Sequence, residues 1–112
     1  MSYMPKQGDI IYLDFDPQAG HEQKGRRPAL VVSNLTYNTL TKMALVCPIT
    51  HTERNFPLHV QLPINYKTSG NIMCEQVKAL DIHIRNATFV EKLPIEIMRE
   101  VFDILYGMVE IE

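Results

Sequence analysis

Apolar side chains in this chain recur at every second residue in short runs, and glycine, proline or asparagine cuts each run off before it can lengthen. In Asp9-Ile10-Ile11-Tyr12-Leu13-Asp14-Phe15, the side chains of Ile11, Leu13 and Phe15 fall on one face, the signature of a strand laid against a core. Asp16-Pro17-Gln18-Ala19-Gly20 then breaks the pattern, as such residues do. Pro28 starts the run Ala29-Leu30-Val31-Val32-Ser33, whose β-branched content suits a buried strand. Met43 to Ile49 reads as a third strand, and Leu58-His59-Val60-Gln61-Leu62 as a fourth with strict inside-outside alternation. Asn71 to Cys74, Gln76 to Leu80 and Ala87 to Val90 supply further short strands, punctuated by Ser69-Gly70 and Arg85-Asn86. Short strands separated by turn signals predict an antiparallel barrel or sandwich.

From Pro94 the period changes. Ile97, Met98, Val101, Phe102, Ile104, Leu105, Met108 and Val109 recur at spacings of three and four, which predicts an amphipathic helix. Pro94 suits the first turn, where its missing N–H costs nothing, and Glu96 meets the positive end of the helix dipole. The expected class is mainly β (α+β), with one C-terminal helix on an antiparallel sheet. No repeat, low-complexity tract or linker interrupts residues 1–112, so one domain is expected throughout.

Composition supports one folded core and little else. The chain has 112 residues, 46% hydrophobic and 21% charged, with a formal net charge of -2, a balance that argues against disorder. The longest nearly unbroken apolar stretch, Met43 to Ile49, falls well short of the roughly 20 residues a bilayer crossing needs. No secretory signal is legible at the N-terminus, so a cytoplasmic protein is expected. Cys47 and Cys74 lie in apolar segments and read as reduced core thiols; His21, His51, His59 and His83 form no short ligand spacing, so neither metal nor cofactor is expected.

The charge is unevenly placed. Residues 91 to 112 hold two basic and six acidic side chains, which leaves the preceding part net positive and able to hold a local anion site. His21-Glu22-Gln23-Lys24-Gly25-Arg26-Arg27-Pro28 puts a carboxylate, an imidazole and three cations next to a glycine, immediately before a buried strand. An arginine rooted at a rigid strand, as Arg27 is, loses little entropy in gripping phosphate through paired N–H donors. The bland alternative is a solvated loop in which Glu22 pairs with one of the cations.

Several segments together resemble one family. Gly8-Asp9-Ile10-Ile11, Asp14-Phe15-Asp16-Pro17, the stretch from Gly20 to Ser33 that contains Gly20-His21-Glu22-Gln23-Lys24-Gly25-Arg26-Arg27-Pro28, Pro48-Ile49-Thr50, and Glu75-Gln76-Val77-Lys78-Ala79-Leu80-Asp81 are similar, in order and spacing, to the MazF/PemK family of toxin endoribonucleases. The resemblance implies a small SH3-like antiparallel β-barrel of the CcdB/PemK type, a homodimer, and cleavage of single-stranded RNA. It also implies a type II toxin-antitoxin system, with a MazE-like antitoxin whose disordered acidic segment lies across the RNA groove. The acidic C-terminal helix suits neither ligand, which places the site on the opposite side.

The same resemblance assigns roles. RNA can be cut without metal when its 2'-hydroxyl attacks the adjacent phosphate, leaving a 2',3'-cyclic phosphate and a 5'-hydroxyl. Glu22 would take the proton, Arg27 would stabilise the developing charge and Thr50 would hydrogen-bond the phosphate. His21, beside Glu22, is an alternative acid or base; an arginine is poorly suited to donate a proton because its pKa exceeds about 12. In the branch typified by Kid, an Arg-x-Asp pair precedes the glutamine, whereas this chain has Met73 and Glu75 there. RNA contacts are expected from His21, Gln23, Lys24, Gly25, Arg26, Asn34, His51, Glu75, Gln76 and Lys78, with Arg54, Asn55 and Phe56 as further candidates. The rival reading is a CcdB-like toxin that inhibits DNA gyrase by protein contact, which would not need the Glu22, Arg27 and Thr50 constellation.

Overall fold

The alternating runs become seven strands in a computed structural model that describes residues 3–15, 25–52 and 56–112. In chain order the elements are β1 (Asp9–Phe15), β2 (Gly25–Val31), α1 (Leu35–Thr41), β3 (Ala44–Thr50), β4 (His59–Gln61), β5 (Asn71–Met73), β6 (Lys78–Leu80), β7 (Thr88–Lys92) and α2 (Ile95–Met108). The sheet runs β4-β5-β3-β2-β1-β7, with β6 also paired to β3. Every pairing is antiparallel.

β5 and β6 share one edge of β3. Ile49 lies opposite Ile72 and Thr50 opposite Asn71, whereas Val46 lies opposite Lys78 and Ala44 opposite Leu80. The register therefore slips by three residues between the two ladders, and a 3-10 turn of three residues, Cys74–Gln76, takes up the slack. The sequence reads this region as two nearly adjoining strands; the structure shows one edge strand that leaves the sheet and returns.

Two cores lie on the two faces of the sheet. Ile10, Leu30, Cys47, Ile49 and Ile72 pack with Met98 and Val101 of α2, while Ile11, Leu13, Phe15, Ala29, Val31, Val46 and Ile82 fill the other side. The opening strand is thus buried on both faces at Ile10 and Ile11, both fully inaccessible. The sheet curls strongly: the Lys78 ammonium lies 5.6 Å from the centre of the Phe15 ring, although β3 and β2 separate their strands in the sheet order. It does not close. The molecule keeps the expected mainly β class with a C-terminal helix, as an incomplete barrel whose outermost strands are β4 and β7.

α1 is absent from the sequence reading, and its residues carry no helical apolar period. Capping and tertiary hydrogen bonds build it instead. The Asn34 side chain accepts from the Tyr37 N–H at 2.9 Å, an N-cap that satisfies one of the helix's orphan donors. Fully buried Asn38 hydrogen-bonds Ser33 and donates to the Pro5 carbonyl at 2.9 Å. The N-terminus is tied a second time through Asp9, whose carboxylate accepts from the Tyr3 hydroxyl, the Lys6 N–H and the Lys92 ammonium. No helix among the described residues is long and apolar enough to cross a membrane.

Candidate functional site

Alternation along β2 sends its two consecutive arginines to opposite faces. Arg26 lies opposite Asp14 on β1, pairs with its carboxylate at 3.3 Å and donates to the Thr88 hydroxyl at 3.0 Å. Asp14 also accepts from the Asn86 amide at 2.8 Å; that hydrogen bond foremost, with help from Arg26, holds its carboxyl below the usual range. Arg27 lies opposite Leu13, so it belongs to the face of the second core. This face is turned away from α2.

Thr50 reaches the same face from the last residue of β3. Ala29 pairs with Pro48 and Val31 with Val46; two residues beyond that ladder on each strand, Arg27 and Thr50 keep the side-chain parity of the same face. Thr50 is nearly buried, and its hydroxyl accepts from the Thr52 N–H at 3.2 Å. On its other side Thr50 pairs with Asn71, and Asn71 with Gln61. A cross-strand row thus runs from Thr50 through Asn71 to Gln61, a hydroxyl beside two amides, on the face that also carries Arg27.

Behind Thr50 the backbone is packed tightly. Gly70 has φ +119, and a Cβ there would lie 2.1 Å from the Thr50 carbonyl oxygen, so only glycine lets the chain pass this closely. Next to this contact lies a cavity of about 360 Å³ bordered by His51, Gln61, Ser69, Gly70 and Asn71, with Leu62, Pro63 and Ile64 as apolar walls. The His51 ring nitrogen Nδ1 meets the Ser69 hydroxyl at 3.3 Å.

The 3-10 turn displays Glu75 and Gln76. Glu75 is held by His59 on β4, Nε2 to Oε2 at 3.0 Å, and the His59 side chain is only 4% exposed. Phe56 packs its ring edge-on against His59, centroids 4.9 Å apart. Gln76 is exposed, and Lys78 sits over Phe15. Beneath the turn Cys74 and Cys47 are both buried and free. The hydrogen bond between them, together with burial, pushes the Cys47 thiol up; the same hydrogen bond draws Cys74 down, against the effect of its burial.

Of the residues singled out in the sequence, Arg27 and Thr50 share one face of the sheet, with His51 next to Thr50 in the chain. Gly25 opens β2 at φ +81 with open space where a Cβ would stand. Asn34 lies past the far end of β2 from Arg27, where its side chain caps α1. His21, Glu22, Gln23 and Lys24 lie outside the described residues, as do Arg54 and Asn55.

The pattern that defines the PemK-like, MazF-like toxin of type II toxin-antitoxin systems matches residues 6–108. The chain belongs to this toxin family. It is 41% identical over 86 residues to the endoribonuclease toxin MazF of Escherichia coli strain K12, an alignment covering 77% of each chain. Among solved structures it resembles MazF from Deinococcus radiodurans, with a TM-score of 0.89, 37% identity and coverage of 96% of this chain and 98% of that one. The MazE-MazF structure from the same organism matches with a TM-score of 0.88 and 36% identity over 99% of this chain and 100% of that one.

In this MazF/PemK-family toxin, the sequence does not show which residues the fold lines up with Thr50. Gln61 and Asn71 join Thr50 only once the register of β3, β5 and β4 is known. The alternation of Leu58-His59-Val60-Gln61-Leu62 did place His59 and Gln61 together on one side, but nothing in it said what that side would face.

Proposed function

We propose that this chain is a toxin that cuts single-stranded RNA, without a metal ion, by attack of the substrate's own 2'-hydroxyl on the neighbouring phosphate. The O2'–P bond forms as the P–O5' bond breaks, which leaves a 2',3'-cyclic phosphate and a 5'-hydroxyl. The observation that carries this reading is the placement of Arg27 and Thr50 on one face, in a chain whose relatives are named endoribonucleases. Arg27 supplies positive charge to the phosphorane and Thr50 a hydroxyl to a phosphate oxygen, fixed donors of the kind that stabilise charge as it develops. Glu22 takes the 2'-hydroxyl proton, and the departing O5' gains a proton from solvent to become the 5'-hydroxyl. Glu75, engaged with His59, serves the RNA-binding surface with Gln76 and Lys78.

The working assembly is a homodimer in the cytoplasm, restrained by a MazE-like antitoxin. The solved MazE-MazF structure from Deinococcus radiodurans matches over 99% of this chain. An extended acidic segment suits the arginine-bearing face, and by folding as it binds it covers a large surface for modest affinity per unit area.

The test is cleavage of a long single-stranded RNA, and of the same sequence as DNA, in EDTA by wild type and Arg27→Ala. Cuts in RNA alone, cyclic phosphate ends and a loss of about 10²–10³-fold in rate in the variant are expected, the range for removing one preorganised donor. Failure of the folded, antitoxin-free dimer to cut any of several long RNAs would overturn the reading and leave gyrase binding to be tested.

A further inference from the structure

We infer that the cavity beside Thr50 is a nucleobase subsite, in which Gln61 reads the edge of a base adjoining the scissile phosphate. The inference rests on the nuclease reading above and names a part of its specificity. The cavity, about 360 Å³, falls within the range of small-ligand pockets, which combine apolar walls with a few convergent polar groups. Its polar lining comes from Gln61, Asn71, Ser69 and His51, and its walls from Leu62 and Ile64. Among the described residues its lining is amide, hydroxyl, imidazole and aliphatic. A flat group with apolar faces and a hydrogen-bonding edge is what such a lining suits, and among the parts of RNA that is the base.

Position supports the same ligand. Thr50, Asn71 and Gln61 are successive members of one cross-strand row, and at about 4.8 Å per strand Gln61 stands about 10 Å from Thr50. One nucleotide spans that distance from phosphate to base edge. The donors are also differently committed. The Asn71 Nδ2 donates to the Thr52 carbonyl at 3.2 Å and the His51 ring meets Ser69, whereas Gln61 is exposed and its amide makes no hydrogen bond among the described residues. Its oxygen and nitrogen both remain for a base. Gly70 keeps the floor of the cavity pressed against the Thr50 carbonyl, so base and phosphate are read by groups that share one rigid backbone junction.

The deciding experiment maps the cut sites of wild type and Gln61→Ala in a library of RNAs randomised around a central region. Gln61 is exposed on β4, so the variant is expected to fold, and an unchanged urea midpoint checks this. Wild type should show a base preference at a nucleotide flanking the cut, and Gln61→Ala should lower that preference about tenfold or more, the scale of one lost discriminating hydrogen bond, with other positions unchanged. A variant that cuts with the wild-type preference at every position would overturn the subsite while leaving the nuclease reading intact. Wild type that cuts no RNA would instead overturn both.

Discussion

At the scale of single residues, the site depends on places where no other side chain fits. A methyl group at Gly70 would collide with the Thr50 carbonyl from a backbone conformation unfavourable to L-residues. Gly70→Ala is expected to destabilise the fold by about 1–3 kcal/mol and to depress RNA cleavage further than that loss alone explains, which urea unfolding beside cleavage rates would show. Asp14 offers a test by pH. Its folded pKa is lowered, first by Asn86, so its contribution to stability is present above the ordinary value of about 3.9 and fades as pH falls through the lower folded value. In Asn86→Ala the carboxyl should titrate closer to its ordinary range, read by NMR of the Asp14 side chain; an unchanged titration would contradict the assigned cause. At this scale the sequence was partly transparent. Arg27 was legible because a cation at the root of a buried strand is a local pattern, whereas Gln61, Ser69 and Gly70 are ordinary loop and edge residues until three strands fold them against Thr50.

At the scale of elements, apolar period decided what was visible beforehand. β1, β4 and α2 announce themselves through spacings of two or of three and four, and β3 through a nearly unbroken apolar run, because burial leaves that trace. α1 leaves none: its only buried residue is polar Asn38, and hydrogen bonds to Ser33 and Pro5 hold it in place. Asn38→Ala should therefore cost about 1–3 kcal/mol, the penalty for stranding buried partners, seen as a lower urea midpoint; a neutral effect would show that α1 docks by other means. The 3-10 turn was likewise hidden, since a register slip depends on pairing with β3 and not on the residues that make it.

For the whole molecule, the sheet's two faces divide the work. One is sealed by α2 and the other carries Arg27 and Thr50 at the rim of its core. The acidic bias of the C-terminal residues leads to the expectation of a site away from α2, whereas nothing in the sequence gives the extent of the curl. Sealing also governs thiol chemistry. Cys47 and Cys74 are buried, and native protein is expected to resist Ellman's reagent until urea exposes both, since the reactive species is an accessible thiolate; rapid labelling without denaturant would contradict this packing. The interrupted strand along β3 has a bearing on solubility as well. Because Cys74–Gln76 swings out of the ladder and β4 covers β5, that side of the sheet ends in two strands of three residues each. Edges so short give another copy little backbone to pair with, so this side of the sheet is a poor template for fibre-like stacking at high concentration.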